Sequence, residues 1–264
     1  LIGPEDALLT DKVVVVTGAA QGIGKAAAIS LANFGADVAI CDRKPMDDTV
    51  AQIEALGRKV VTGSIDVRDG DAVAGHLADV KDAYGRVDVL VNNAGGGFVS
   101  KFLDVNEKGT KALVDENYTQ VLHFIRGCAP LFPETGGSII NITSVEAHRA
   151  APGFAIYASM KAALEQLTRS LALELADRWI RVNAIAVDAI ATEGDHDLAE
   201  AVGGLPDQYE IPWPRYGGPD DMAGPILFLA SELSRFVTGS TVMVTGGTDA
   251  ARGWRRDGKG GWKP

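Results

Sequence analysis

A chain of 264 residues, 46% apolar and 23% charged, has the composition of a globular protein able to bury a sizeable core. No Pro/Ser-rich linker or charge block divides it, so a single domain spanning residues 1–264 is expected. Its formal charge of −10 argues against a nucleic-acid partner, and its apolar runs are too short for a membrane span. Residues Leu1 to Asp6 hold no basic stretch followed by an apolar one, and Cys41 and Cys128 form no C-x-x-C pair; two reduced, buried thiols in a cytoplasmic protein are expected.

Along the chain, apolar β-branched runs alternate with longer segments of helical period, as a parallel sheet covered on both faces requires. Strands are expected near Val13–Thr17, Asp37–Asp42, Lys59–Asp66, Val87–Asn92, Gly137–Thr143, Ile180–Val187 and Thr241–Val244. Helices are expected near Gly22–Phe34, Asp47–Leu56, Asp69–Tyr84, Thr110–Leu131, Phe154–Asp177 and Asp220–Ser231. Right-handed crossovers make this an α/β, doubly wound parallel sheet of Rossmann type, with about seven strands and helices on both faces. The stretch 189–218 breaks the rhythm with Glu193, Asp195, His196, Asp197, Pro206, Pro212, Trp213 and Pro214, and reads as a substrate lid.

The first chemical signal is Thr17-Gly-Ala-Ala-Gln-Gly-Ile-Gly24, which follows the run Val13–Val16 and opens an alanine-rich helix. Glycines at 18, 22 and 24 let the backbone bend and a pyrophosphate approach, where unpaired N–H groups at the helix start meet the phosphates. A second signal is Tyr157-Ala-Ser-Met-Lys161, which puts Tyr157 and Lys161 on one helical face. An unperturbed phenol has a pKa of about 10, so proton exchange near neutrality needs a neighbouring ammonium. Alone, such a Tyr and Lys more often form a packed ring and a solvated charge.

Together these segments make the chain resemble the short-chain dehydrogenase/reductase family from Thr17 to about Gly247. The glycine turn is similar to the family's cofactor turn. Asn92-Asn-Ala-Gly95 resembles its N-N-A-G segment, and Ser144, Tyr157, Lys161 and Asn117 fall at the positions of its catalytic residues. The resemblance implies that Tyr157 is the general acid/base and that Ser144 hydrogen-bonds the reacting oxygen. It implies too that Lys161 lowers the Tyr157 pKa and binds ribose hydroxyls, and that Asn117 holds a relay water. The cofactor contacts it implies are Gly18, Gln21, Gly22, Ile23, Gly24, Asp42, Asp66, Val67, Asn93, Ala94, Gly95, Tyr157, Lys161, Ile190 and Thr192. Asp42, closing the second strand, suits ribose hydroxyls and repels a 2′-phosphate, which favours NAD over NADP, as does Gln21. Arg43 beside it could pair with such a phosphate.

Where the family commonly carries Pro-Gly after the sixth strand, this chain has Val187-Asp188. Glu146, His148 and Arg149 also make the loop after Ser144 unusually polar and are placed to line a pocket. The His residues and nearby acids lack ligand spacing, so no metal is expected. The tail from Arg252 to Pro264 concentrates Arg252, Arg255, Arg256, Lys259 and Lys263 with Trp254 and Trp262 in an otherwise acidic chain.

The function expected is an NAD(H)-dependent oxidoreductase interconverting a secondary alcohol and a ketone. Its small-molecule substrate would be bulky and steroid- or lipid-derived, carried as an acyl-CoA whose phosphates meet the basic tail. The family likeness also implies a homotetramer. Two alternatives stand: a 3-oxoacyl thioester reductase of fatty-acid type, and a non-catalytic, cofactor-sensing relative.

Overall fold

The computed structural model describes residues 1–193 and 211–263. Seven strands form one all-parallel sheet: β1 (Val13–Thr17), β2 (Asp37–Asp42), β3 (Val60–Ser64), β4 (Val89–Asn92), β5 (Gly137–Ser144), β6 (Ile180–Val187) and β7 (Thr241–Val244). Their spatial order is β3-β2-β1-β4-β5-β6-β7, so the direction of winding reverses between β1 and β4. A crevice opens outside the carboxyl ends of the strands at such a reversal, where loops diverge to opposite faces. Register is set by apolar alternation: Val14 pairs with Val38 and Val89, and Val16 with Ile40 and Val91.

The helices are α1 (Gly22–Asn33), α2 (Asp47–Ala55), α3 (Gly70–Tyr84), α4 (Glu107–Val114), α5 (Gln120–Cys128), α6 (Ala155–Glu174) and α7 (Pro219–Ala230). One core joins Val14, Val16 and Ile40 to Leu31 of α1 and Met222, Ile226 and Leu229 of α7. The other joins Val15, Leu90 and Ile139 to Leu77 of α3, Phe124 of α5 and Leu164 of α6. Successive β1 residues thus serve opposite faces, as the two-residue strand period demands. Truncating the fully buried Phe124 to Ala would cost about 3–5 kcal/mol.

Start and stop signals explain the boundaries. The Asp69 carboxylate accepts from the N–H groups of Asp71 and Ala72 at 3.0 and 3.2 Å and starts α3, which Gly85 ends at φ 72°. Four strands match the expected bounds and the others differ only at their ends.

The expected helix Thr110–Leu131 is the main departure. It is α4, then a π-helical turn over Asp115–Thr119, then α5 and a short 3₁₀ turn. Beyond β7, Thr248–Ala251 forms one short helix, and the tail folds back as an antiparallel pair, β8 (Arg255–Arg256) with β9 (Trp262–Lys263). Asp257 closes that hairpin by accepting from the N–H groups of Lys259 and Gly261 at 2.7 and 2.8 Å. Most of the expected lid, including Asp195, His196, Asp197 and Pro206, lies outside the described residues. Its two ends pair, Gly217 donating to Ala189 and Ala191 donating to Gly217, both at 2.9 Å. Among the described residues no helix is long and apolar enough to cross a membrane.

Candidate active site

The glycine turn is pinned to the β4 loop. Thr17 Oγ1 accepts from the N–H groups of Asn93 and Ala94 at 3.0 and 2.9 Å, and Asn93 Nδ2 donates to the carbonyls of Thr17 and Gly18 at 2.9 and 3.1 Å. Gly18 sits at φ +70°, and a Cβ on Gly24 would run into the Gly18 carbonyl. No side chain of the turn caps α1. The Gly22 N–H instead donates at 3.1 Å to the Glu193 carboxylate, so an anion already stands at the amino end of this helix.

Asp42 is held by the Ala20 N–H at 3.1 Å and the Lys44 N–H at 2.9 Å. Fixed by two backbone donors, its carboxylate keeps lone pairs for further donors. Arg43 pairs with Glu116 at 3.3 Å, and the Lys44 ammonium donates to Gln21 Oε1 at 2.7 Å.

The second half of the site hangs on β5 and α6. Ser144 Oγ accepts from the Glu146 N–H at 3.2 Å, which leaves its own O–H to point elsewhere. Lys161 is buried, donates to the Ile142 carbonyl at 3.1 Å and lies 5.5 Å from the centre of the Tyr157 ring. Burial pulls its ammonium down to about 8, a loss that the charge of Glu116 partly offsets. Phe154 meets Tyr157 edge-on, ring centres 6.3 Å apart.

Asn117 lies in the π-helical turn, fully buried. Its Nδ2 donates to the carbonyls of Gly96 and Leu113 at 2.8 and 3.0 Å, and Oδ1 accepts from the Gly96 N–H at 3.3 Å. The extra residue of the turn aims this side chain at the loop after β4.

One cleft of 840 Å³ runs through all of this. Its wall holds Gly18, Gln21, Gly22, Ile23, Asp42, Val67, Asn93, Ala94, Gly95, Ser144, Tyr157, Lys161, Ile190 and Thr192. Three expected residues are not on that wall. Gly24 packs behind the turn, Asn117 sits beneath Gly96, and Asp66 turns to Arg68, whose guanidinium holds its carboxyl down at about 2. His148 also turns aside, Nε2 lying 2.9 Å from the buried Glu165, which also accepts from the Thr143 hydroxyl at 3.0 Å.

Sequence reasoning missed Lys44, Glu116, Phe154 and Tyr216 as cleft residues. Only side-chain direction places them there, and no spacing rule signals it. Trp254 and Arg255 of the flagged tail do reach the cleft. Cys41 and Cys128 are buried, and burial pushes both thiols up, Cys41 to about 12, so neither is a nucleophile.

The arrangement offers an anion-binding helix end, a carboxylate one strand away and a phenol–ammonium–hydroxyl set in one crevice. The family model described as enoyl-(acyl carrier protein) reductase matches residues 18–249. A 3-oxoacyl-[acyl-carrier-protein] reductase of Synechocystis is 37% identical, covering 90% of this chain and 97% of the relative. An L-rhamnose 1-dehydrogenase (NAD(P)(+)) of Sphingomonas is 36% identical over 91% and 97% of the two chains. Among solved structures, a 7α-hydroxysteroid dehydrogenase complexed with NADH and 7-oxo glycochenodeoxycholic acid superposes with a TM-score of 0.85. It is 32% identical, over 94% of this chain and 98% of that one.

Proposed function

The chain belongs to the short-chain dehydrogenase/reductase family of oxidoreductases, and we propose that it uses NAD(H) to interconvert a secondary alcohol and a ketone. The observation that carries this reading is the meeting of Ser144, Tyr157 and Lys161 with the glycine turn and Asp42 along one cleft.

The residues fit a dinucleotide. The Gly22 N–H already binds a carboxylate where a phosphate would sit, and Asp42 is fixed for ribose hydroxyls. Gly18, Gln21, Gly22, Ile23, Asn93, Ala94, Gly95, Val67, Ile190 and Thr192 would hold the remainder from the cleft wall, with Gly24 and Asp66 behind it. A bound nicotinamide supplies the two-electron acceptor and donor that the protein lacks.

The chain's own groups manage the proton. Tyr157 exchanges it with the substrate oxygen, and the free O–H of Ser144 donates to that same oxygen and fixes its position. The Lys161 ammonium beside the ring favours the phenolate and so brings the phenol's pKa toward the working range. Asn117 spends its side chain on Gly96 and Leu113, so a relay water would be held through the backbone of its π-helical turn.

The cleft suits a bulky secondary alcohol, and the 7-oxo glycochenodeoxycholic acid in complex with the solved 7α-hydroxysteroid dehydrogenase supports a steroid- or lipid-derived one. Trp254 and Arg255 line the cleft, which supports contact between the tail and the phosphates of a CoA thioester. A second reading, reduction of 3-oxoacyl thioesters, is favoured by the Synechocystis relative; Asp42 disfavours the NADPH which that role usually demands. A homotetramer in the cytoplasm completes the proposal.

The test is a panel of secondary alcohols, free and as CoA thioesters, followed by NADH or NADPH formation. Turnover faster with NAD is expected. Preference for NADP, or no turnover across the panel, would overturn the reading, and the latter would leave the cofactor-sensing role.

A further inference from the structure

Three charged side chains that the proton chemistry leaves unused border the cleft: Glu146 and Arg149 after β5, and Asp188 after β6. Arg149 Nη2 donates to Glu146 Oε1 at 2.8 Å and to Asp188 Oδ2 at 3.2 Å, and Nε donates to Glu146 Oε1 at 3.3 Å. Asp188 is itself anchored. Its Oδ2 accepts the Thr248 hydroxyl at 2.5 Å, and its Oδ1 accepts the Ala189 N–H at 2.9 Å. Two loops and the short helix beyond β7 therefore fix the direction of one guanidinium.

What is left over defines a ligand. Among the described residues, Arg149 Nη1 and Glu146 Oε2 make no hydrogen bond, and the Arg149 side chain is 45% exposed. One strong donor and one strong acceptor are thus left over on the cleft-lining turn after Ser144, whose Oγ holds the Glu146 N–H. A hydroxyl group suits such a pair, because it both donates and accepts. Two carboxylates against one guanidinium leave the cluster negative, so a carboxylate or phosphate is disfavoured there. Phe154 and Trp254 supply apolar faces for the ring or chain that carries the hydroxyl.

We infer that Glu146 and Arg149 read a neutral hydroxyl next to the reacting carbon, so that the preferred substrates are vicinal diols and the matching α-hydroxy ketones. Asp188 and Thr248 are positioning residues that hold Arg149 in place. The inference rests on the proposed alcohol dehydrogenase activity and names the substrate class within it.

The experiment compares kcat/KM for trans-1,2-cyclohexanediol, cyclohexanol and 3-hydroxycyclohexanecarboxylate with NAD, in the wild-type protein, Glu146→Gln and Arg149→Met. The wild type should favour the diol over cyclohexanol by about tenfold or more, the size of a charge-assisted hydrogen bond. That ratio should fall toward one in both variants. Should Arg149→Met fail to fold, the conservative Glu146→Gln, at a half-buried position, carries the test. A wild-type ratio near one while cyclohexanol is oxidised would overturn the inference and leave the dehydrogenase reading intact. Preference for the carboxylate, or variants that lose both alcohols in equal proportion, would overturn it too. Oxidation of none of the three, nor of any alcohol in the wider panel, would remove the dehydrogenase reading and this inference with it.

Discussion

Lys161 shows how one buried side chain serves a site at a cost to the fold. Its ammonium is desolvated and releases its proton near 8, whereas in the unfolded chain it holds it to about 10.5. Between those values the unfolded chain binds the additional proton, so this group alone makes stability rise with pH across that window. Below about pH 8 both states are protonated and the slope vanishes. Urea midpoints of wild type and Lys161→Met at pH 7.5 and 9.5 check this: the wild type should gain on the variant as pH rises. Parallel shifts in the two proteins would show that Lys161 is not the titrating group. Asp42 permits a second test at the same scale. Asp42→Ala takes the acceptor from the N–H groups of Ala20 and Lys44 but leaves the turn pinned through Thr17 and Asn93, and it should narrow the NAD over NADP preference by about tenfold, read from kcat/KM with each cofactor. An unchanged ratio would locate cofactor choice elsewhere, with Lys44 the first place to look.

At the scale of elements, what the sequence made legible is what repeats. Val13–Val16 and Val38–Cys41 are apolar throughout, and Ile180–Val187 is so apart from Arg181 and Asn183, because both faces of a parallel strand are covered, so their bounds are readable from the pattern. The π-helical turn at Asp115–Thr119 was not legible, since Thr110–Leu131 keeps a helical period straight through it. Its one extra residue is a backbone event with no side-chain signature, yet it is what directs Asn117 at Gly96. Asn117→Ala should therefore act twice. Two carbonyls and one N–H lose their partner, for about 1–3 kcal/mol of stability, and the turn that would carry the relay water loosens. Thermal unfolding and kcat measured together test this; a stable but inactive variant would separate the two roles. The hairpin of the tail was equally illegible. Its glycines suggest a loose end, and the Asp257 turn that closes it needs only local hydrogen bonds.

For the whole molecule, the reversal of strand order between β1 and β4 does most to explain why one cleft serves both halves of the chemistry. The glycine turn after β1 and the loop after β4 meet there, while β5 and α6 bring Ser144, Tyr157 and Lys161 to the same edge. The motifs that carry the resemblance were legible because each is a local pattern: the glycine turn, Asn92–Gly95 and Ser144 follow or end strands, and Tyr157 and Lys161 lie one turn apart in α6. The part of the cleft proposed for substrate was not, because it is built from loops and from the tail, whose directions follow from packing. Ending the chain at Arg252 removes Trp254 and Arg255 from the cleft. It should raise KM for a CoA thioester more than for a small alcohol, with the gap shrinking at high salt. Equal KM values and an unchanged oligomeric state would leave the tail without either role.

In the proposed mechanism Tyr157 moves the proton, in a site that binds NAD independently of it. Single-turnover NADH formation with a secondary alcohol from the wild-type panel, alongside NAD binding by fluorescence, tests this in Tyr157→Phe, which keeps the ring and loses the O–H. A rate lower by about 10²–10⁴ with NAD affinity retained is expected. A rate near that of the wild type would contradict it.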